Sequence, residues 1–258
     1  MRETVIDEPT ARAALWSRRL ILFALNVALI GVIMARLSTT DVSGALAVIG
    51  AAFVIAGAAG LLALAALVSV WTSGERGAGM AVLSGLMAAA LLAWPAYLGY
   101  RAFAVPQIND ITTDVADPPS FSRSSKALAA RFGHVPGDPA AGVRETQAKA
   151  YPDVGPITLD LEADEVYTIV QKTILARGWR VIEMVGPGGR SGVGHIDAID
   201  RSLILGLPDD IAVRIRPGAG RTRIDLRSVS RFGRTDFGAN ARRIQKFADE
   251  LETQLEGK

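Results

Sequence analysis

The sequence predicts an α+β protein in which three N-terminal transmembrane helices precede an antiparallel sheet with two helices on one face. The first observation is the distribution of charge, because only 11 of the 54 charged side chains lie in residues 1–100. The second is a proline-rich segment at 101–156. The third is the periodicity of the remaining residues, which indicates the order strand, helix, four strands, helix. The chain is therefore expected to divide at residue 100 into an apolar part and a charged part.

The bulk composition excludes several classes of site and partner. The chain has 258 residues, and its 28 Lys and Arg against 26 Asp and Glu leave a formal net charge of +2, which does not favour a nucleic-acid-binding protein. It has no cysteine, which excludes disulfides, thiolate catalysis and Cys-ligated metal sites. Its two histidines, His134 and His195, are far apart. The sequence therefore predicts no metal site and no cofactor.

Three apolar segments are long enough to cross a hydrocarbon core about 30 Å thick. They are residues 20–35, 42–70 and 78–100. The first reaches the required length only if Arg18 and Arg19 snorkel to the interface. The second has small residues four apart, at Ala52, Ala56 and Gly60, which favours close helix packing, although an alanine-rich sequence also matches this spacing by chance. No ionisable side chain lies well inside the second or third span, so this half is predicted to be an anchor.

The arginines that flank the spans predict the orientation of the chain. Five lie on the side of the N-terminus, whereas Arg36 and Arg101 lie on the other side. An excess of positive charge marks the cytoplasmic side, so three spans place residues 101–258 outside the cytoplasm. We expect an inner-membrane protein with a periplasmic domain. The predicted organisation is a cytoplasmic tail at 1–17, a membrane region at 18–100, a strap at 101–156 and a soluble domain at 157–258.

The strap is interrupted by a proline about every ten residues, which is typical of an extended connection. A short helical piece is predicted at 124–131. Asp110, Asp114 and Asp117 lie close together in the strap, and hard cations such as calcium prefer oxygen ligands. Their spacing does not match an EF-hand loop, so local Asx and Ser/Thr turns are the favoured interpretation.

The soluble domain begins with alternating apolar residues at 157–161, which predict a strand. An apolar stripe from Val166 to Ile174 predicts a helix, and Gly178 is expected to end it. Further strands are predicted at 179–185, at 193–200, at 209–216 and at 221–231, with a turn at 186–189. The final helix is predicted at 239–255, with Asp236 as its N-terminal cap.

The last two predicted strands form the best-defined hairpin, joined by residues 217–220. We expect Arg216 to pair with Arg221, because the period of two then places apolar residues opposite one another. The other opposite pairs in this register are Ile211 with Leu226, Val213 with Ile224, Arg214 with Arg223, Ala212 with Asp225, and Asp210 with Arg227. The first two pairs lie on the apolar face and the others on the polar face.

His195 and Asp197 lie two residues apart on one predicted strand and therefore share a face of the sheet. Ser228 or Ser230 could in principle complete a Ser-His-Asp triad with them. A triad requires a geometry that the sequence does not supply, so a solvated histidine is the favoured interpretation. The chain carries no nucleophile elbow, Walker loop or dinucleotide-binding glycine motif.

Residues 227–240, which we call the corner, combine an arginine-rich strand with a glycine-bracketed helix start. Free amides at a helix start, with Arg231 and Arg234 beside them, predict a site for a phosphate or carboxylate. The candidate ligand-binding residues are Arg214, Arg227, Ser228, Ser230, Arg231, Arg234, Asp236 and Asn240. The alternative is that the arginines pair with Asp210, Asp225 and Asp236 in an internal lattice.

The corner carries the pattern Arg-Ser-x-Ser-Arg-x-Gly-x-x-Asp-x-Gly-x-Asn-x-x-Arg-Ile at 227–244. The strap contributes a second set of residues: Asn109-Asp110-Ile111-Thr112-Thr113-Asp114, Pro118-Pro119 and Phe121. Gly178-Trp179 and the run Asp-Asp-Ile-Ala-Val-Arg at 209–214 complete the motifs. Over residues 105–250 the chain thereby resembles the bacterial and plastid family named domain of unknown function 1499 (DUF1499), which usually has histidine at the position of Asn109.

The resemblance implies a shared fold and no particular activity. The family-typical site that it implies comprises Asp210, Arg214, Arg227, Ser228, Ser230, Arg231, Asp236 and Asn240. Because Asn109 replaces the strap histidine, and because His195 stands where an acidic residue is expected, the resemblance assigns chemistry to neither position.

These patterns favour a non-enzymatic inner-membrane protein whose periplasmic domain binds an anionic ligand or an envelope partner through the corner. The expected partners are the lipid bilayer together with an anionic lipid, a cell-wall fragment or another envelope protein, and no nucleic acid. The alternative is an envelope hydrolase or transferase that uses Asp210, Asp236 or His195. A third hypothesis is a purely structural partner of other membrane proteins.

Overall fold

A computed structural model describes residues 9–37, 42–188 and 192–256. The chain forms two compact units, Met1–Tyr100 and Arg101–Lys258, which divide where the charge distribution changes. Residues 1–8 of the predicted cytoplasmic tail, and the end of the turn predicted at 186–189, lie outside the described residues.

The first unit is built from three helices that are long and apolar enough to cross a membrane. Their bounds are α1 (Arg12–Leu37), α2 (Val42–Ser73) and α3 (Ala78–Ala104). The first helix begins eight residues before the predicted span, because Arg18 and Arg19 are accommodated within it and the Arg19 guanidinium lies 5.3 Å from the centre of the exposed Trp16 ring. The third continues through Pro95 and past the predicted end at Tyr100.

Two of the three residues of the seam predicted on α2 are buried, whereas the third, Gly60, is half-buried and lies near Ala88 of α3. Ala52 and Ala56 are fully buried, and the buried positions of this helix follow a three-and-four spacing from Val42 to Ala66. Gly31 of α1 lies against Ile49 of α2 so closely that an added Cβ would come within 2.6 Å of its side chain. A glycine is therefore required where these two helices approach.

The second unit is an α+β domain with an antiparallel sheet, as the fold-class prediction states, but the sheet has six strands where five were predicted. Its strands are β1 (Asp110–Thr112), β2 (Ile157–Leu159), β3 (Arg180–Val185), β4 (Gly194–Arg201), β5 (Pro208–Pro217) and β6 (Thr222–Ser230). Its helices are α4 (Ser125–Ala130), α5 (Ala141–Ala150), α6 (Ala163–Ala176) and α7 (Ala239–Glu256). The strand order is β1-β6-β5-β4-β3, with β2 also paired to β6 and a register irregularity in β3 between Val181 and Glu183.

The apolar core lies between one face of this sheet and the helices α6 and α7. The stripe from Val166 to Ile174 is buried as predicted, and α6 ends at Ala176 just before Gly178, whose φ of +68° suits a glycine. Trp179 stacks on Phe247 of α7 with their ring centroids 5.5 Å apart. The two helices therefore pack on the face that the alternation of apolar residues predicts.

The strap contains more regular structure than its prolines suggest. The short helix predicted at 124–131 is present as α4, and the Ser124 hydroxyl accepts a hydrogen bond from the Ala127 amide at its start. The structure adds β1 and α5, neither of which was predicted. Gln147 of α5 is buried, and its side-chain amide exchanges hydrogen bonds with both the N–H and the C=O of Thr112 in β1. One polar side chain thus joins the two unpredicted elements.

The predicted hairpin register is wrong by two residues. Arg216 pairs with Arg223 rather than with Arg221, and the loop is Gly218 to Arg221, closed by a hydrogen bond from the Gly218 amide to the Arg221 carbonyl. The observed pairs include Val213 with Leu226, Ile211 with Ser228, Arg214 with Asp225, Ala212 with Arg227 and Asp210 with Val229. A shift of two leaves every side chain on its predicted face but places Arg214 opposite a carboxylate instead of another arginine.

Candidate functional site

The strap covers the face of the sheet that points away from α6 and α7. Because side chains alternate along a strand, this face receives Asp197 from β4 and Asp210 from β5. From β6 it receives Asp225 and Arg227. All four side chains are buried. A charged layer therefore lies between the sheet and the strap.

Arg131, the residue that follows α4, lies at the centre of this layer. Its Nη2 donates to Asp197 Oδ2 at 2.9 Å and its Nε donates to Asp210 Oδ1 at 3.0 Å, and none of these three side chains is exposed to solvent. The Phe121 ring lies 5.0 Å from the guanidinium carbon of Arg131 and 5.2 Å from that of Arg227. Arg131 thus joins the strap to two central strands.

Arg227, which lies in β6, and Arg231, which follows it, are also paired with carboxylates of the chain itself. Arg227 donates to both carboxylate oxygens of Asp110, at 3.0 and 2.7 Å. Arg231 donates to both carboxylate oxygens of Asp210, at 2.8 and 2.7 Å. These are bidentate contacts of the type that arginine makes with a carboxylate ligand. Here the carboxylates belong to the chain itself.

Three more arginines surround Asp225 on the same face. Arg214, Arg216 and Arg223 each contact Asp225, and each also contacts Asp114 of the strap. Burial raises the pKa of Asp114, but the Asp117 amide together with Arg216 and Arg223 outweighs this effect and lowers that pKa overall. The strap aspartates therefore act as counter-ions of the sheet arginines. The Asp114 carboxylate also accepts the Asp117 amide, and the Thr112 hydroxyl accepts the Asp114 amide in a Ser/Thr turn of the predicted kind.

A second polar cluster lies on the opposite face, beneath the first turns of α7. Ser228 donates to Asn240 Oδ1 at 2.7 Å, and Asn240 donates to Ser230 Oγ at 3.0 Å. Arg243 donates to Ser228, Asp200 and Asp209. Burial raises the pKa of Asp209, and the neighbouring Arg243 opposes that shift. This cluster fastens α7 to the ends of β4, β5 and β6.

Asp236 caps α7, as predicted. Its two carboxylate oxygens accept the amides of Gly238 and Asn240, each at 2.7 Å. These amides are the groups from which the sequence predicts a phosphate or carboxylate site. The carboxylate at this helix start is therefore Asp236 itself. Arg234 is exposed and makes no ion pair within the described part of the chain.

The structure separates the predicted ligand-binding residues into two groups. Ser228, Ser230 and Asn240 lie together on the helix face of the sheet. Arg214, Arg227 and Arg231 belong to the strap face and point into the charged layer. The lattice of internal pairs is thus present, although Asp236 pairs with backbone amides rather than with arginine. Sequence reasoning missed Arg131 and Arg243, whose partners are remote in sequence, and also Arg216 and Arg223, which the period of two places beside Arg214.

The Ser-His-Asp triad, which the sequence allows only in principle, is not assembled. His195 Nε2 lies 2.8 Å from Asp197 Oδ1, so these two side chains do meet. Ser228 is on the other face of the sheet, bonded to Asn240, and Ser230 is bonded there as well. The second oxygen of Asp197 accepts from Arg131 and from the Ser122 amide. Over residues 9–37, 42–188 and 192–256, no three His, Cys, Asp or Glu side chains are grouped as metal ligands.

Two arginines, Arg101 and Arg242, bond to a backbone carbonyl and to no carboxylate among the described residues. Together with the neighbouring Tyr151 they surround Gly238, and we call these three residues the cation cluster. Arg101 Nη2 and Arg242 Nη1 donate to the same acceptor, the Phe237 carbonyl, at 2.8 and 3.1 Å. Within the described ranges neither guanidinium meets a carboxylate, and Arg101 Nε is buried without a hydrogen-bond partner.

The terminal polar atoms of the three cluster side chains all lie close to the Cα of Gly238, on the side where a Cβ would be. A Cβ added to Gly238, whose φ is +76°, would lie 2.7 Å from Arg101 Nη2, 3.1 Å from Arg242 Nη1 and 3.3 Å from Tyr151 Oη. The Tyr151 hydroxyl is buried and has no hydrogen-bond partner among the described residues. Burial, followed by the proximity of Asp236, raises the pKa of Tyr151, which keeps the hydroxyl protonated and able to donate.

The comparison with known families agrees with the motifs. A family model described as a protein of unknown function, DUF1499, matches residues 110–251. The match runs from the first residue of β1 into α7 and so includes most of the strap together with the sheet. No curated protein matches the chain.

Proposed function

Because the chain belongs to the DUF1499 family, whose description names no activity, we propose its function from the geometry: it is a membrane protein whose second unit binds an anionic ligand at the cation cluster. The observation that carries this proposal is that Arg101 and Arg242 converge on one backbone carbonyl without a carboxylate. A carbonyl oxygen carries only a partial negative charge, so neither guanidinium has an ion-pair partner within the described residues. An oxyanion would compensate it, and the Tyr151 hydroxyl supplies a further donor.

The internal lattice has a supporting role in this proposal. Arg227 bonds to Asp110 of the strap, Arg231 bonds to Asp210 of β5, and Asp236 holds the turn against the start of α7. Asn109 contributes from the strap, because its side chain donates to the Gly233 carbonyl at 2.7 Å. A site whose groups are already positioned loses less conformational entropy on binding. We therefore assign ligand contact to the cation cluster and to the exposed Arg234, and assign the other predicted corner residues to positioning.

No second function is proposed for the acidic residues of the corner region. Asp210 is bonded to Arg131 and Arg231, and Asp236 is bonded to two amides. A general acid or base must reach the proton that it transfers. The oxygens of these two carboxylates already accept hydrogen bonds from arginines or backbone amides of the chain. His195 is paired with a buried Asp197 but has no nucleophile from the predicted serines. The hydrolase or transferase alternative therefore lacks a geometric argument.

The cellular location of the second unit is also part of the proposal. Three spans and the excess of arginine on the N-terminal side support an inner-membrane protein with the second unit in the periplasm. We expect a C-terminal alkaline phosphatase fusion to be active in cells and a C-terminal fluorescent protein fusion to be dark. Moving the junction to residue 74, between the second and third helices, should reverse both signals. A fluorescent full-length fusion with an inactive phosphatase fusion would contradict the proposed orientation.

Anion binding can be tested on the full chain in neutral detergent micelles. We expect inorganic phosphate to bind, and the variant Arg101→Gln with Arg242→Gln to weaken the dissociation constant about tenfold or more, because each lost hydrogen bond to a charged group is worth about 1.5–3 kcal/mol. Titration calorimetry would measure both constants. Arg221→Gln is the matched control, since Arg221 is an exposed arginine in the loop between β5 and β6. Equal affinity of wild type and double variant, or no binding by either, would refute the proposal.

A further inference from the structure

The cation cluster lies at one end of the sheet, together with two other chain segments. The Ser230 amide bonds to the Asn109 carbonyl and the Arg231 amide bonds to the Pro208 carbonyl, so the strap start, the corner and the β4–β5 loop meet beyond the end of β6. Arg101 belongs to the same end, because it bonds to Phe237 of the corner. The loop that carries Arg221 lies at the opposite end. We call the end that carries Arg101 the anchor end.

The anchor end displays apolar side chains on the β4–β5 loop. Leu203 is 87% exposed and Ile204 is 43% exposed. The loop is held by its own hydrogen bonds, since the Ser202 amide bonds to the Leu207 carbonyl and the Gly206 amide bonds to the Ser202 carbonyl. The backbone therefore fixes these side chains on the outside of the domain rather than leaving them free to fold inwards. Exposed apolar groups and cations at the same end of a domain are a combination that binds a bilayer interface.

The covalent chain brings a bilayer surface to this end. Arg101 directly follows Tyr100, at which the third predicted span ends in aromatic residues typical of a membrane interface. The phosphate layer of the lipids is therefore within reach of a residue placed immediately after the span. Arg101 also has no carboxylate partner within the described residues, since its guanidinium donates to the Phe237 carbonyl. The position of Arg101 after the span and its lack of a carboxylate partner both favour a lipid phosphate as the ligand.

We propose that the anchor end docks on the bilayer, with Leu203 and Ile204 entering the interface and with Arg101, Arg242 and Tyr151 binding a phospholipid phosphate. This inference rests on the proposed function, because the same two arginines hold the anion. It adds the identity of the anion, a phosphodiester at the membrane surface, and a second contact, the apolar loop. The loop contact does not depend on a soluble ligand and can be measured separately.

The absence of native cysteine allows a single spin label to report membrane insertion. The full chain carrying Leu203→Cys, or Arg221→Cys as the control at the opposite end, would be labelled and reconstituted into nanodiscs of phosphatidylglycerol or of digalactosyl diacylglycerol, which lacks phosphate. Collision rates with oxygen and with a water-soluble nickel complex give the depth of the label. We expect the label at 203 to lie in the interface of phosphatidylglycerol discs and the label at 221 to remain in water.

The arginine contribution is tested in the same discs and in micelles. Arg101→Gln with Arg242→Gln should move the label at 203 towards water, and should weaken binding of dihexanoyl phosphatidylglycerol in neutral micelles by about tenfold or more, since each basic residue at an anionic surface is worth about 1 kcal/mol. Inorganic phosphate is titrated in parallel. Phosphate binding that depends on the two arginines, with a label at 203 that stays in water, would overturn this inference and leave the proposed function standing.

Two further outcomes would also overturn the inference. Equal insertion of the label at 203 in both kinds of disc, unaffected by the arginine substitutions, would show an apolar contact without phosphate recognition. Failure of phosphate and of lipid to bind would refute the inference and the proposed function together. Because Leu203 is exposed, its substitution is not expected to unfold the domain.

Discussion

Replacing Arg131 by methionine is expected to lower the free energy of unfolding of the second unit by about 3–5 kcal/mol, because removing one partner of a buried ion pair leaves an uncompensated charge. Arg131 is the shared cation of Asp197 and Asp210, and all three side chains are buried. Asp210 keeps Arg231, but Asp197 would retain only His195 and a backbone amide. Methionine preserves much of the side-chain volume, so the loss reports charge and hydrogen bonding rather than a cavity.

Hydrogen exchange of the central strands β5 and β6 in the full chain measures this loss without interference from the membrane helices. Arg123→Met is the matched control, since Arg123 is an exposed arginine of the same strap and should change stability by less than about 0.5 kcal/mol. Adding Asp197→Asn to Arg131→Met should restore part of the loss, because the unpaired carboxylate is then neutral. A loss below about 1 kcal/mol for Arg131→Met would show that the charged layer is solvated and does not hold the strap.

Replacing Phe247 by alanine is the second large effect, with an expected loss of about 3–5 kcal/mol. The Phe247 side chain is fully buried and stacks on Trp179, and it lies where α7 covers the sheet. The substitution removes apolar area and leaves a cavity that the stacked indole cannot fill. The same exchange experiment reports the loss in β5 and β6.

The control for Phe247 lies on the same helix. Leu255→Ala removes a side chain that is only partly buried against the core, near the end of α7, and should destabilise by clearly less than Phe247→Ala. Similar losses from both substitutions would mean that the helix end is as firmly packed as its centre. A loss of less than about 1 kcal/mol from Phe247→Ala would contradict the assignment of the core to this face.

The parts of the fold that could be predicted are those in which local sequence and burial agree. The stripe from Val166 to Ile174 has a helical period, and Gly178 follows it at the position of a cap, so the helix and its end are both determined locally. The strand β1 is different, because three residues cannot display a period and its formation depends on β6, more than 100 residues away. The helix α5 buries the polar Gln147, which a search for apolar stripes passes over.

In the hairpin, the period of two predicts the face on which each side chain lies but not the register of the two strands. It assigns each residue to a face, and those assignments hold for Arg214, Asp210 and Val213. It does not distinguish registers that differ by two, since both place apolar residues together. Both registers leave a loop of four residues, so the distinction comes from the gain of pairing Arg214 with Asp225, which is not visible in one strand alone.

The candidate site could be predicted in its residue types but not in its partners. The same period separates Arg227 and Arg231 from Ser228 and Ser230, so their placement on opposite faces follows from the sequence. The Asp110 that meets Arg227 and the Asp114 that meets Arg214 come from the strap, and no local pattern connects strap and strand across such a separation. The cation cluster was not predicted, because Arg101, Tyr151 and Arg242 meet only through the turn at Gly238.

The pairing of both β1 and β2 with β6 has a consequence for neighbouring copies of the chain. Proteins held in a membrane diffuse in two dimensions and meet more often than they do in solution, so an open strand edge would invite edge-to-edge aggregation. One edge of the sheet is covered by the two short strands. The other is β3, which is irregular between Val181 and Glu183 and carries the charged Arg180 and Glu183. Both edges of the sheet therefore carry features that oppose edge-to-edge pairing between copies of the chain.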